Sequence, residues 1–373
     1  MTSERDMKKA YRTRAEGDFP EVFDLLGHGY RKLEDLRYGS NPHQPAALYR
    51  PALDGPLVLG AYQLLKSGKG GLSQLNVEDM HQALGILKYL GSPACCVMKH
   101  GNPSGVAMQG AAQSLAEVYR RARDADAQAA FGSAVVLNRP LDAATAQELM
   151  QSVVEVVAAP GYDADALDLL RDSRRFGRNR QLRVVQVPEP TSLPRFVGDA
   201  TTARELKVFD DGSLVVAEPF LSRVRTGSDL VSAYAEHRKR GRVEIGRSPS
   251  PRELEDLLFA WYVSFRVRSN ACVIVKNGQT LGVGTGQQDR VGAVELALAK
   301  VRQKYRGEET LEGAVMSSDG YFPFRDAVDI ATAAGVRAFV QPGGSVNDHE
   351  AVQACNEAGA TMVFALERCF SHH

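Results

Sequence analysis

The chain has 373 residues, enough for two or three domains at ~150 residues each, and its 45 Lys+Arg balance 45 Asp+Glu. That balance excludes a uniform basic field for a nucleic-acid backbone, while 44% hydrophobic and 24% charged residues exclude wholesale disorder. Apolar runs far short of the ~20 residues of a membrane span, a charged start without an apolar core, and five cysteines without framework spacing predict a soluble cytoplasmic protein with neither nucleic-acid nor membrane partners.

Residues 1–35 are expected to form a polar lead-in arm. Over Val77–Leu90 the apolar residues Met80, Leu84, Leu87 and Leu90 recur at helical spacing, with Asn76 as the expected cap and Glu78 and Asp79 favouring the helix dipole. Ala94–Met98 reads as a buried strand running into a turn at Lys99-His100-Gly101-Asn102-Pro103. A helix over Ser114–Asp124 and a second buried strand over Ala134–Leu137 follow, and this alternation predicts an α/β layered fold. Arg171–Arg183 lacks apolar periodicity and, with the prolines of Pro188–Pro194, is expected to lead out of the first unit. Ser228–Arg242, including His237-Arg238-Lys239-Arg240, reads as a solvated helix face, and Arg252–Val267 as a helix preceded by Ser250-Pro251. The organisation expected is a first α/β unit over 36–195, a largely helical connection over 196–268, and a second α/β unit over 269–373.

The second unit echoes the first. Ala94-Cys95-Cys96-Val97-Met98-Lys99-His100-Gly101-Asn102 aligns without a gap on Ala271-Cys272-Val273-Ile274-Val275-Lys276-Asn277-Gly278-Gln279, 177 residues later, and Gly105-Val106 matches Gly282-Val283. Chance likeness between two strand-turn segments and a duplicated unit both account for this.

The cysteines form no Cys-x-x-Cys pair and no zinc-deaminase signature occurs, so no zinc is expected. Gly68-Lys69-Gly70-Gly71 lacks phosphate-loop spacing and reads as a turn, and Gly282-x-Gly284-x-Gly286 is too tight for a dinucleotide fingerprint. The strongest local constellation is Lys99-His100-Gly101-Asn102-Pro103-Ser104-Gly105. Neither side chain of the lysine-histidine pair buries cheaply, and strand ends are where crevices open. Histidine suits a general base, and a neighbouring ammonium favours its neutral, proton-accepting form and can stabilise an oxyanion. Arg37-Tyr38-Gly39-Ser40-Asn41-Pro42-His43-Gln44 offers a guanidinium and a phenol for an anion, Ser317–Asp326 places aromatic rings between two acids, and Gln341-Pro342-Gly343-Gly344-Ser345 is another strand-end loop. Together they suit an enzyme acting on a phosphorylated heterocycle.

These segments, with Phe131-Gly132, Ala159-Pro160-Gly161-Tyr162, Ser269-Asn270-Ala271 and Gly284-Thr285-Gly286-Gln287-Gln288-Asp289-Arg290, resemble the formyltransferase portion of the AICAR transformylase/IMP cyclohydrolase family, from about Leu36 to His373. The resemblance implies two cytidine-deaminase-like three-layer α/β/α units without the deaminase zinc. It implies transfer of a formyl group from 10-formyltetrahydrofolate to the 5-amino group of AICAR, in purine biosynthesis. By the same resemblance His100 accepts the amine proton and Lys99 stabilises the tetrahedral transition state. Arg37, Tyr38, His100, Gly132, Glu155, Asn270, Arg290, Tyr321 and Arg368 match nucleotide-binding positions, and Val291, Asp326, Ser345 and Val346 match folate-contacting ones. A homodimer with shared active sites is implied, as is a bound monovalent cation such as K+, to which no motif assigns ligands.

The chain departs from the family at Ser104, where cysteine is common, at Tyr321, where phenylalanine is common, at Glu155, and over Asp126–Ala130. It also reaches Arg37-Tyr38 after a short arm rather than a cyclohydrolase half, so the formylated intermediate without ring closure is the expected product. An idle AICAR-binding sensor, or a formyltransferase with a shifted donor, are the competing readings.

Overall fold

The computed structural model describes residues 13–53, 57–68, 70–110, 113–238 and 241–372. Val22–Leu25 (β1), His28–Asp35 (β2) and Ala47–Pro51 (β3) form an antiparallel sheet of their own, so the expected arm is strand-forming over much of its described length. The body of the chain then opens with Gln63–Lys66 (β4), the helix Gln74–Leu87 (α1), and the hairpin of Ala94–Lys99 (β5) and Asn102–Met108 (β6). There follow Leu115–Asp124 (α2), Ser133–Leu137 (β7), Ala143–Leu149 (α3), Val154–Ala159 (β8), Ala164–Arg171 (α4) and Arg183–Gln186 (β9).

The stretch 196–268 differs from its expected helical character. It contains the hairpin Glu205–Val208 (β10) and Leu214–Ala217 (β11), the short strand Val231–Ser232 (β12), the hairpin Tyr234–His237 (β13) and Gly241–Glu244 (β14), and one long helix, Pro251–Ser264 (α5). The basic run read as a helix face is therefore part of a hairpin, with Lys239 and Arg240 outside the described residues. Alternating polar and β-branched residues on a solvated ribbon carry no helical period for packing to impose. The second half then repeats the first: the hairpin Cys272–Lys276 (β15) and Gln279–Gly284 (β16), Arg290–Gln303 (α6), Ala314–Ser318 (β17), Asp326–Ala333 (α7), Val336–Gln341 (β18), Asp348–Glu357 (α8) and Thr361–Phe364 (β19).

One 12-stranded mixed sheet runs β12-β19-β18-β17-β15-β16-β6-β5-β7-β8-β9-β4. Read outward from the β6–β16 seam, where Ala107 pairs with Gln279, each half has the same order: an antiparallel hairpin, an antiparallel neighbour, two parallel strands, and an antiparallel edge. The offset holds beyond the hairpins, since α1 begins at Gln74 and α5 at Pro251.

Period-2 alternation sorts the side chains into layers. Cys96, Met98, Val273 and Val275 meet α1 and α5 in one core that spans both halves, through Met80, Leu84, Leu87, Leu257, Ala260 and Trp261. On the opposite face Cys95 and Val97 pack with α2–α4, and Cys272 and Ile274 pack with α6–α8. Burial on both faces explains why these strands read as continuous apolar runs. Gly105 and Gly282, the glycines of the echo, have a physical reason: a Cβ would lie 1.9 Å from the Ala122 carbonyl oxygen and 2.4 Å from that of Ala297, so both let a helix lie directly on the hairpin.

Two local assignments shift. α1 is capped by Ser73, whose hydroxyl accepts from the Asn76 N–H while the Asn76 side chain accepts from the Ser73 N–H, so Asn76 is the third helical residue rather than the cap. Glu78 and Asp79 lie beyond the first turn, and Asp79 is buried. The arginine-rich stretch ends in β9, a strand interior to the sheet. Lys69 of the glycine-rich run lies outside the described residues, and its neighbours Gly68, Gly70 and Gly71 all take positive φ, as a turn requires.

Candidate active site

The β5–β6 hairpin ends in a tight turn at His100-Gly101, both with positive φ, 52° and 77°. His100 is exposed and Lys99 half-buried, with the Lys99 Nζ donating to the Gly132 carbonyl at 2.7 Å. Gly132 itself has φ 68°, a left-handed backbone that favours glycine, and a Cβ there would be in ordinary contact with Nζ at 3.4 Å.

Next to Lys99, along the starts of β8 and β9, lie Glu155 and Arg183. Glu155 Oε1 accepts from Arg183 Nη1 at 3.0 Å and stands 3.9 Å from Arg37 Nη2. Arg37 and Arg183 are buried, and Arg37 Nη2 donates to the Tyr38 hydroxyl at 2.7 Å. Arg37 is placed by its own backbone, whose N–H donates to Leu72 O at the entrance to α1. Burial, and then the charge of Arg37, lower the Arg183 pKa to about 10. Among the described residues Arg183 Nη2 has no hydrogen-bond partner. Two buried guanidiniums beside one shared carboxylate, with Arg183 Nη2 open for a further acceptor, suit an anionic substrate. Of the residues singled out in the sequence, Lys99 and His100 with Gly132 form one set, and Arg37, Tyr38 and Glu155 a second, at the same edge of the sheet.

A second group forms around the start of α6. Arg290 is buried, its Nη1 donating to Asp319 Oδ1 at 2.6 Å and to Ala271 O at 2.9 Å, while Nη2 donates to Asn270 Oδ1 at 2.9 Å. Asn270 Nδ2 in turn donates to Gln287 O. Burial works against the Arg290 charge, but Cys272 and Asp319 hold its pKa above the ordinary value. Tyr321 and Arg368 are exposed beside this group, with Arg368 lying over the Phe370 ring at 4.3 Å. Asn102 joins the two groups: its Oδ1 accepts from Arg268 N and from Thr285 Oγ1, while its Nδ2 donates to His100 O.

The remaining expected residues lie farther along the same sheet edge. Asp326 starts α7 and is exposed, Ser345 N donates to Asp348 Oδ2, Val346 is 94% exposed, and Asn347 Nδ2 donates to Pro323 O, which ties the two loops together. Val291 occupies the first turn of α6. Counting from β5 to β18, five strand spacings of ~4.8 Å put about 24 Å between Lys99 and the Ser345 loop along the edge. The Lys99 group sits at the amino ends of β7, β8 and β9, whereas the Asp326 and Ser345 loops follow the carboxyl ends of β17 and β18. The strand-end expectation thus covers two kinds of end.

The departures have plain structural settings. Ser104 is buried and donates to Val97 O within the hairpin, and the Asp126 carboxylate lies 3.9 Å from Lys300 on α6 while capping its own loop at Ala129 N. Sequence reasoning missed Asp79, Arg183 and the bridging role of Asn102. For Asp79 a signal existed, because Glu78-Asp79 recurs as Glu255-Asp256 at the 177-residue offset. Among the described residues no group of three or more His, Cys, Asp or Glu is arranged to hold a metal ion, and no helix is long and apolar enough to cross a membrane.

With this geometry in hand, comparison with known proteins gives one consistent result. The family described as AICARFT/IMPCHase bienzyme matches residues 2–300. The bifunctional purine biosynthesis protein PurH of Oceanobacillus iheyensis is 37% identical over 361 residues, covering 96% of this chain and 63% of that protein. PurH of Magnetococcus marinus is 40% identical over 362 residues, with 95% and 62% coverage, and PurH of Clostridium perfringens strain SM101 is 38% identical over 358, with 96% and 62%. The chain therefore spans less than two thirds of the length of the curated relatives it matches.

Proposed function

We propose, from the premise that the chain belongs to the AICARFT/IMPCHase bienzyme family, that these 373 residues transfer a formyl group from 10-formyltetrahydrofolate to the 5-amino group of AICAR. The reading places it in cytoplasmic purine biosynthesis, with the formamide as product and no ring closure to IMP. The observation that carries it is the exposed His100 beside a Lys99 anchored on Gly132, at the same sheet edge as Glu155 and the buried guanidiniums of Arg37 and Arg183.

An aminoimidazole amine conjugated with a carboxamide is a weak nucleophile, so it needs both positioning and a base. Arg37, Tyr38 and the open Nη2 of Arg183 bind the anionic nucleotide, and Asn270, Arg290, Tyr321 and Arg368 complete its contacts. The amine nitrogen attacks the formyl carbon, His100 takes the proton that the amine loses, and that proton passes to N10 as the carbon–N10 bond of the folate breaks to release tetrahydrofolate. Lys99 spends one of its three donors on Gly132, which fixes the ammonium and leaves two N–H groups for the developing oxyanion.

The folate side is assigned to Val291, Asp326, Ser345 and Val346, and its position supports a homodimer. Reacting atoms must come within ~3–3.5 Å, yet the Ser345 loop stands about 24 Å along the sheet edge from Lys99. A partner's second half facing this chain's first half meets that requirement. The β10–β11 hairpin suits such pairing, since Leu206, Val208, Phe209, Leu214, Val215 and Val216 are all exposed on it. Sedimentation is expected to give twice the chain mass, and a fully active monomer would count against shared sites. We further propose that 36–195 and 269–373 are duplicated cytidine-deaminase-like units, a reading supported by the repeated strand order and the 177-residue offset.

Purified chain with AICAR and 10-formyltetrahydrofolate is expected to release tetrahydrofolate, followed by absorbance, with the formamide and no IMP in the same tube. AICAR binding by calorimetry without folate-dependent turnover would overturn the catalytic reading in favour of a sensor.

A further inference from the structure

The buried carboxylate of Asp79 lies on α1, 22 residues before the turn it touches, and its Oδ1 accepts the Gly101 N–H at 2.7 Å. That N–H belongs to the turn in which His100 holds φ 52°. A left-handed conformation at a residue other than glycine is unfavourable for the chain alone and persists only where the surroundings fix it.

The molecule supplies its own comparison. At the matching turn of the second half, on the opposite edge of the sheet, Asp256 Oδ1 accepts from Gly278 N at 2.7 Å and Oδ2 from Asn277 N at 2.8 Å. Asn277 has φ 56° and Gly278 φ 68°, so backbone and acid are repeated. The chemistry is not repeated. Asparagine stands in place of His100, and Lys276, in place of Lys99, is held by Glu309 at 3.3 Å. One Asp-to-turn lock therefore serves a plain hairpin in one half and the lysine-histidine pair in the other. Among the described residues Asp79 takes one backbone N–H where Asp256 takes two; burial raises its pKa, and the Gly101 N–H, His100 and Lys99 favour its ionised form.

We propose that Asp79 is a positioning residue for formyl transfer: it fixes the Lys99–His100 turn through the Gly101 N–H and holds its negative charge beside the two reacting side chains. This rests on the formyl-transfer reading given above. It differs from a packing role because it acts on the turn's geometry, which substrate affinity does not depend on and turnover does.

The test compares Asp79→Ala, Asp79→Asn and Asp256→Ala by steady-state kinetics and thermal melting. A displacement of a reacting group by about 1 Å can cost ~10²-fold in rate. Asp79→Ala is expected to lose about that in kcat, with the KM for AICAR within roughly threefold of the unaltered chain. Asp79→Asn keeps an oxygen for the Gly101 N–H and is expected to recover about tenfold of the loss. Asp256→Ala is expected to melt earlier, as Asp79→Ala does, with kcat unchanged. A kcat for Asp79→Ala no lower than that for Asp256→Ala would overturn the inference. Where Asp79→Ala does not fold, Asp79→Asn decides: a roughly tenfold lower kcat at little-changed Tm upholds the assignment, and unaltered kcat overturns it. Absence of turnover in the unaltered chain would instead overturn the formyl-transfer reading, and this inference with it.

Discussion

Replacing His100 is expected to remove formyl transfer while leaving the fold in place. General-base catalysis contributes ~10²–10⁴-fold in rate, and none of the described residues placed above beside Lys99 is a second imidazole. Alanine is the direct test, but asparagine is the better-controlled one. The turn places residue 100 at positive φ, and Asn277 occupies the matching turn at φ 56°, so His100→Asn removes the base without asking alanine to adopt a strained backbone. Both variants are expected to bind AICAR with near-normal affinity, because the Arg37–Glu155–Arg183 set is untouched. Tm is expected to stay within a degree or two for the asparagine variant, since His100 is exposed. Lys99→Ala tests the other half of the pair and is expected to cost ~10²–10³-fold in kcat, the loss typical of removing an oxyanion donor. Stopped-flow or steady-state release of tetrahydrofolate reads all three. Turnover near that of the unaltered chain in either His100 variant would sink the assignment of His100 as base.

What could be read from the sequence, and what could not, follows from where the determining interaction lies. The strands β5 and β15 were legible because a strand buried on both faces is apolar at every position, and the echo between them was legible because both hairpins need the same glycine against a helix. Ser250-Pro251 announced α5 because a cap is a local device. The β13–β14 hairpin was not legible, since a solvated ribbon has no apolar face to impose a period, and the apolar residues of the β10–β11 hairpin lie exposed, outside the cores whose packing sets one. The basic run at His237 therefore read as a helix. Arg183 looked like part of a featureless arginine-rich stretch, and its role depends on Glu155 and Arg37, 28 and 146 residues away in the chain. Asp79 looked like an acid near a helix start. Its partner is a backbone N–H, which no side-chain pattern records. The site is thus legible where it is contiguous, at Lys99-His100 and Arg37-Tyr38, and illegible where it is assembled across the sheet.

The same logic decides the second large effect, which concerns Arg290 and Asp319. Their ion pair is 2.6 Å long, with side-chain exposures of 5% and 0%. A buried pair is weak evidence of stability in itself, because desolvating both charges costs about what the pair returns. Removing one partner is another matter, typically costing ~3–5 kcal/mol, since the other charge stays buried and unpaired. Arg290→Met is expected to show that loss in full. Asp319 would keep only the Ala271 N–H at 3.1 Å, and the Asn270 side chain would lose the donor that orients it. At an unfolding entropy of ~2.1 cal/mol/K per residue, the loss corresponds to a Tm about 4–6 °C lower. Asp319→Asn preserves the shape and leaves the guanidinium its bonds to Ala271 O and Asn270 Oδ1, so it is expected to lose stability too, and by less. The two variants separate stability from recognition. A Cβ at Gly320 would stand 2.6 Å from Arg290 Nη2 and 2.7 Å from the Phe370 ring, so glycine lets the chain pack closely on the guanidinium, whose buried Nε has no partner among the described residues. Arg290 is also one of the residues proposed above to hold the nucleotide. Arg290→Met is therefore expected to raise the KM for AICAR by about tenfold or more, the ~1.5–3 kcal/mol of a charged hydrogen bond, whereas Asp319→Asn keeps it within about threefold. Equal KM values in the two variants would show that Arg290 supports the fold alone and does not touch the substrate.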